Sequence, residues 1–405
     1  GYAMLMSATL GSRARVRWTG ESLPEIGTAS ATPYPAVWVQ GESGPRPARD
    51  AGRPKAVHPE TVRTMDPEET ARHAVTAAKS GARVLVIRNT VDMAVETWRA
   101  VRATGEGSLL MQAAGGPALH HGRFAVEDRA LLDQTVEKTL APLKDREPRG
   151  SIVIGTQTLE QSLDIDADLL ITDLCPMDVL LQRIGRLHRH ELPRPAGFET
   201  ARTLVLLPEE GLDQLTKPDF ENGLGGRIGG DGGFDGIYRD LAGLELTRRQ
   251  IAENPVWRIP EMNRRLVESA THPDCIGALI VEKGKAWEQY DGRHGGAKAA
   301  EKMAADLVVL DRGEPFDAKL FPGEDEKIMT RLGEEGAILE LDPAPKGPFG
   351  ISVSRIAVPA RWSKEISAEG PVEISQNEGV FTLSVADQRF LYSREGLSNP
   401  RLSPT

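Results

Sequence analysis

Several things are scarce in this sequence, and each shortage narrows what the chain can be. Its 405 residues hold two cysteines, Cys175 and Cys275, which give no disulfide framework and no zinc-type spacing. A reducing cytoplasm is therefore expected. No run of about 18 apolar residues occurs, so no membrane helix is expected, and no signal peptide is visible. Internal repeats are absent. Basic residues are outnumbered, 49 Lys and Arg against 59 Asp and Glu. The net charge of −10 excludes a chain that coats nucleic acid non-specifically, while leaving room for a local basic groove. A methionine start is lacking too. Gly1 leads at once into YAMLM, Tyr2 to Met6, an apolar run that reads as a buried strand. The chain is thus expected to be the C-terminal part of something larger.

What is present is a globular composition, 40% hydrophobic and 27% charged, with length for two or three domains. Residues 20–60 are rich in Pro, Gly, Ala and Ser and read as a crossover, with Tyr34 to Val39 the one strand-like island. From residue 66 the period changes. DPEETARHAVTAAK reads as a helix with acids in its first turn, followed by RVLVIRN as a strand and TVDMAVETWRAV as a helix. PALHHGRF, a helix over 125–140, SIVIGTQ, DLLITDL, VLLQRIGRL and ARTLVLLP continue the alternation. Short apolar runs alternating with helical periods mean a parallel sheet covered by helices, an α/β domain over about 60–208. NGLGGRIGGDGGFDG, 222–236, reads as a flexible linker, since no strand precedes it and no Gly-Lys-Ser/Thr follows. Two helices come next, and GAILEL, FGISVSRIAV, GVFTLSV and RFLYS form a small β-rich terminal domain.

The densest charge lies in QRIGRLHRH, Gln182 to His190, with three arginines and two histidines. Wound as a helix, it puts Gln182, Arg186 and Arg189 on one stripe, with Leu180, Ile184 and Leu187 nearly opposite. Converging guanidinium forks suit phosphate oxygens. Gly185 costs about 1 kcal/mol of helix propensity and suggests close approach to something. A solvated arginine face remains the plain alternative. A metal pair at His188 and His190 is disfavoured, because residues two apart on a helix point about 160° away from each other. His120-His121 likewise reads as one core histidine and one polar surface or backbone contact, not a metal pair. Upstream, Gly155-Thr156-Gln157 closes an apolar strand, where parallel sheets bind ligands. Thr156 and nearby N–H groups suit a strand phosphate, and Asp164, an acceptor, suits ribose hydroxyls.

Together, Ser7-Ala8-Thr9, this strand end and QRIGRLHRH resemble, in order and spacing, motifs III, V and VI of superfamily-two helicases. GTQTLEQSLDIDADLLITDLCPMDVLLQRIGRLHRH resembles more narrowly the CRISPR-associated helicase–nuclease of type I systems. MLMSATLG, RNTVDMA, LHHGRF, MNRRLVESATH, MTRLGEEGA and PFGISVSRIAVPARW fit that family as well. The resemblance implies a motor of two RecA-like domains, driven by ATP and Mg²⁺, moving 3′ to 5′ on single-stranded DNA. An RNA-guided CRISPR surveillance complex would recruit it. Gln182, Arg186 and Arg189 would face the γ-phosphate, the two arginines as arginine fingers. Gly155, Asp164, Arg183 and Gly185 would lie at the nucleotide, with Asp164 on the ribose. Thr156, Gln157, Arg88, Asn89, Thr90, His121 and Arg123 would line the DNA path, and Ser7, Ala8 and Thr9 would couple hydrolysis to domain closure.

On that resemblance, 1–20 would be the last strand and motif III of a first RecA-like domain. Residues 21–208 would be a crossover and the second such domain, 209–310 a Gly-rich linker and helical segment, and 311–405 the β-rich domain. The sequence contains no Gly-x4-Gly-Lys-Ser/Thr, no Asp-Glu box after a strand and no His-Asp dyad; Asp325-Glu326 reads as surface. ATP and Mg²⁺ would be held mainly by an upstream helicase/nuclease half, and this chain alone is expected to be inactive. A different superfamily-two helicase, acting on RNA or duplex DNA, and a non-catalytic docking module of the same fold remain as alternatives.

Overall fold

The computed structural model describes residues 7, 10–39, 42, 44–48, 52–143, 149–160, 163–217, 222–228, 234–308, 336–363, 372–377, 379–385 and 387–399. The strand expected at Tyr2–Met6, Ala8 and Thr9, Asp325-Glu326 and most of MTRLGEEGA lie outside these residues.

A six-stranded sheet organises the chain. In chain order its elements are β1 (Lys55–Arg63), α1 (Pro67–Lys79), β2 (Arg83–Ile87), α2 (Val91–Ala103), α3 (Val126–Thr139), β3 (Ser151–Gly155), β4 (Leu169–Asp173), α4 (Met177–Ile184), β5 (Ala201–Leu207), α5 (Leu241–Glu253) and β6 (Trp257–Ile259). The spatial order is β6-β1-β5-β4-β2-β3, all parallel except β6 at one edge. RVLVI and LLITD are buried at every position, as strands covered on both faces must be. The helices begin where the sequence signals them. Asp66 accepts from Glu69 N at 2.7 Å to cap α1, and Thr90 accepts from Met93 N at 3.2 Å to cap α2.

Strand β1 is a correction to the crossover expected over 20–60. KAVHPETVR carries a proline and five polar or charged residues, so it does not read as a strand. Its pairing explains the tolerance. β6 covers Lys55 to Val57 alone, leaving Pro59, which has no N–H to give, on an open stretch of edge. After β6 come α6 (Asn263–Thr271), α7 (Pro273–Lys283) and α8 (Lys285–Val308), of which the sequence reading found only the first.

The terminal strands are β7 (Ile338–Glu340) paired with β8 (Arg355–Ala357), then a four-stranded antiparallel sheet. That sheet is β9 (Glu373–Asn377), β10 (Val380–Val385), β11 (Gln388–Ser393) and β12 (Gly396–Ser398) in sequential order. Phe381, Leu383 and Val385 alternate inward along β10, the period of a half-buried strand. Trp362 is buried against Phe390, so it belongs to this core.

The small sheet is fastened to the large one through polar groups. The buried Tyr392 hydroxyl donates to Asp128 Oδ2 at 2.7 Å and accepts from Ala125 N at 2.9 Å. Arg394 reaches the carbonyls of Ala113 and Ala114, both at 2.9 Å. Burial pushes the Asp128 carboxyl up, so the tyrosine proton matters to it. Tyr392→Phe strands both partners in the interior, and the expected loss is about 1–3 kcal/mol in a urea unfolding curve. An unchanged midpoint would mean that the Tyr392 hydroxyl adds nothing to the fastening of the two sheets.

Candidate functional site

Register decides where the polar residues meet. Ile87 lies opposite Gly155 on one side and Thr172 on the other. Residues 88–90, 156–157 and 173–174 therefore emerge side by side at the carboxyl edge, where parallel sheets bind ligands. Gly155 is required there by space. A Cβ on it would stand 2.3 Å from the His120 carbonyl, which bridges to this strand end.

Beneath this edge runs a buried polar network. Asp173 holds Arg88 Nε at 2.9 and 3.1 Å through its two oxygens, and Asn89 N at 2.7 Å. Arg88 also donates to Thr97 Oγ1 at 2.6 Å and to the Met65 carbonyl at 2.8 Å. Arg183, on α4, donates to Glu160 Oε1 at 2.8 Å, Thr172 Oγ1 at 2.6 Å, Asn89 Oδ1 at 3.2 Å and Tyr238 OH at 3.2 Å. Both guanidinium groups are wholly buried. Such charges are tolerated because nearly every donor has a partner.

The start of the glycine-rich stretch, Asn222 and Gly223, is part of this site, which corrects the reading of these residues as flexible linker. Asn222 Nδ2 donates to Asp173 Oδ2 at 2.8 Å, and Thr90 Oγ1 donates to Asn222 Oδ1 at 3.0 Å. Gly223, at φ 78, lies where a Cβ would press within 3.3 Å of Asn89. Tyr238 returns over the same edge and also accepts from Gln157 Nε2 at 3.4 Å. Burial pushes its phenol up to about 12, so it stays protonated. Asn222 and Tyr238 were missed because glycines dominate the segment between them. Asp173 left a signal, an acid closing an otherwise apolar strand.

The arginine cluster is not one helix. α4 ends at Ile184, capped by Gly185, and His188 has φ 45, outside helical space. The reason is local. Ala167 N donates to the Arg186 carbonyl at 3.0 Å and His188 N to the Ala167 carbonyl at 3.0 Å, so the chain pairs with the approach to β4 instead of winding on. The close neighbour of Gly185 is its own helix; a Cβ would lie 2.9 Å from the Gln182 carbonyl. Lys55 clamps the turn from below, donating to the Ile184 carbonyl at 2.8 Å and to the Leu187 carbonyl. Burial brings its pKa down to about 7, and a neutral amine has two hydrogens for two carbonyls.

On this turn Gln182 and Arg189 are exposed and Arg186 is half-buried. Arg186 forks onto the carbonyls of Leu163 at 2.7 Å and Glu160 at 2.8 Å, while its buried Nε has no partner among the described residues. Asp164, exposed, accepts from Arg189 Nε at 2.8 Å and pairs with His190 Nε2 at 2.9 Å. That histidine contact and the arginine hold its carboxyl below the usual range.

The family described as CRISPR-associated nuclease/helicase Cas3, C-terminal, matches residues 80–192, the span that carries these strand ends and the arginine turn. The Thermus thermophilus CRISPR-associated endonuclease/helicase Cas3 is 29% identical over 97% of this chain and 45% of its own length. The Escherichia coli protein of that name is 32% identical over 95% of this chain and 42% of its own length. Over nearly its whole length the chain is similar to the C-terminal part of Cas3. It spans about half the length of the curated relatives it matches. In fold, it is similar to T. fusca Cas3-AMPPNP, with TM-score 0.61 and 19% identity, covering 87% of this chain and 43% of that one. A chain of a CRISPR RNA-guided surveillance complex, pre-nicking, matches with TM-score 0.57 and 19% identity, covering 87% of this chain and 45% of that one.

Against the residues carried over from Cas3, three placements are corrections. Arg88 and His121, expected on a DNA path, are fully buried, as is Arg183, expected at a nucleotide. Arg88 and Arg183 are locked by internal acids. His121 stacks on Phe124 at 4.5 Å and donates to the Glu395 carbonyl at 3.1 Å, fastening the terminal domain. Burial, with Arg123 near, lowers its pKa to about 3, so it is neutral. Asn89 and Thr156 are also buried, whereas Thr90 and Gln157 are half-buried at the edge and Arg123 lies beside α2. Ser7 is exposed.

Two outcomes check this division. Arg183→Ala removes the buried guanidinium that Glu160, Thr172 and Asn89 share, and guanidinium unfolding is expected to show a loss of about 3–5 kcal/mol. Arg189→Ala is expected to stay within about 0.5 kcal/mol. Lys55 gives a pH signature. Between about pH 7 and the free-lysine value near 10.4 the unfolded chain keeps a proton that the folded chain has released, so folding is favoured as pH rises. The wild type is expected to gain stability over Lys55→Met across that window; parallel pH curves would refute it.

Proposed function

We propose that this chain is the second motor domain and terminal domain of an ATP-driven DNA translocase of CRISPR type I interference, moving 3′ to 5′ on single-stranded DNA. The observation that carries the reading is the meeting, at one sheet edge, of three strand ends with an arginine turn held rigidly by α4 and Lys55. Residues 1–20 would close a first RecA-like domain, 21–208 form the second, 209–310 link it, and 311–405 cover it.

The nucleotide, with Mg²⁺, supplies the free energy of phosphoryl transfer when bound. Gln182 and Arg189 stand exposed to bind its terminal phosphate. Arg186 exchanges two neutral carbonyl acceptors for phosphate oxygens, a gain because hydrogen bonds to an anion are the stronger kind. Its unpartnered Nε fits a further acceptor. Asp164, released from Arg189, orients the ribose. Thr90, Gln157 and Arg123 hold the strand by its backbone, a contact that carries no sequence information and suits a translocase. The phosphate cradle comes from the upstream half, and recruitment comes from an RNA-guided surveillance complex of the sort matched in fold.

The test is ATP hydrolysis with single-stranded DNA, for this chain alone and mixed with the upstream half. Turnover in the mixture alone is expected, and Arg186→Ala is expected to reduce it about 10³-fold or more. Turnover by the chain alone that Arg186→Ala abolishes would overturn the division of labour. Stronger stimulation by RNA of equal length would favour another superfamily-two helicase, and binding indifferent to Arg189→Ala a docking module.

A further inference from the structure

Beside the strand ends, a cleft of about 350 Å³ opens between α2 and the terminal domain, lined in part by Asp92, Arg99, Arg123, Arg227, Arg361 and Trp362. Two of its arginines come from distant parts of the chain and share one aromatic ring. Arg123 lies 4.8 Å from the centroid of the Trp362 ring and Arg361 lies 5.2 Å from it. Both turn to a single carboxylate. Arg123 Nη1 is 2.6 Å from Asp92 Oδ1, and Arg361 Nη2 is 3.7 Å from Asp92 Oδ2.

This arrangement is unlike the internal ion pairs at Asp173 and Glu160. Asp92 and Arg361 are each more than half exposed, so the pair is open to exchange. Like charges gathered on one ring repel unless an anion lies between them. A carboxylate offers two oxygens to two guanidinium groups, as a phosphodiester offers its two non-bridging oxygens. Trp362 is 6% exposed, which leaves no face for a base to stack on. The site therefore suits a backbone, not a nucleobase. Arg123 and Thr90, at the start of α2, join the cleft to the strand ends.

Resting on the single-strand reading above, we propose that Arg123 and Arg361 form a clamp for a DNA backbone phosphate, and that Asp92 is the resident anion an incoming phosphate displaces. The sheet domain supplies one guanidinium and the terminal domain the other, with Trp362 holding them together. Asp92 then restrains binding, so removing its charge strengthens the grip on DNA. A residue that served the fold alone would act in the opposite sense.

The experiment is a fluorescence-anisotropy titration of a labelled oligothymidylate with this chain at several salt concentrations. Asp92→Asn is expected to lower Kd several-fold and to steepen the log–log salt dependence by about 0.7 for each phosphate newly neutralised. Arg361→Ala is expected to raise Kd and flatten that dependence. The double variant is expected to match Arg361→Ala, since the freed clamp needs both arginines. Thermal melting of each variant reports its folding separately. Binding by the wild type that Asp92→Asn leaves unchanged or weakens, in a variant that still melts cooperatively, would overturn the clamp and leave the single-strand reading standing. Absence of binding by every form at low salt would overturn that reading, and the clamp with it.

Discussion

Asp173 is wholly buried at the end of β4, and its carboxylate gathers the pieces of the site into one body. It takes a guanidinium from the end of β2, a backbone N–H from the next residue and a side-chain amide from Asn222 at the start of the glycine-rich stretch. An isolated carboxylate in that position would cost several kcal/mol in lost hydration. With Arg88 opposite and the other donors in place it defines the geometry around it. Arg183 repeats the pattern one layer out, joining α4 to the strand ends through Thr172 and Asn89. Charged residues that look available for a ligand in the sequence are thus the frame on which the exposed ones stand.

The terminal domain enters the same economy of polar contacts. His121 and Ala125 donate hydrogen bonds to it, Asp128 accepts one from it, and Phe124 stacks on His121 and meets the Tyr392 ring edge-on. Gly396 approaches so closely that a Cβ would stand 2.6 Å from the His121 ring. The two parts are therefore fitted to each other at the segment that bridges to the end of β3 through His120, the one carrying Arg123. A ligand held at Arg123 is within reach of both.

Where the sequence was informative, the reason was periodicity. RVLVI, SIVIG, LLITD and TLVLL each carry a short run of apolar residues and could be little else than buried parallel strands. The helices starting at Asp66 and Thr90 were equally plain. β1 was hidden by its proline and its charges, because edge exposure, a tertiary fact, is what makes them acceptable. The site was legible in its motifs and illegible in its polarity. A spacing of four and seven residues suggested one helical stripe through Gln182, Arg186 and Arg189, yet pairing with Ala167 halts the helix after Ile184. Nor does a sequence distinguish an arginine that meets solvent from one, such as Arg88 or Arg183, whose acid lies about 20 to 90 residues away along the chain.

The locking of Arg183 into the sheet has a mechanical consequence. Because α4 is pinned to Thr172 and Glu160, and the turn after it to Lys55, the exposed arginines have no hinge of their own. They cannot advance or withdraw as a flexible finger would, except by rotation of their own side chains. Displacement of that edge must carry the whole sheet as a lever, and the terminal domain with it. A few degrees of rotation at a distant pivot would then become ångströms of travel at the strand ends, with the stiffness of the buried network setting how little is lost to bending.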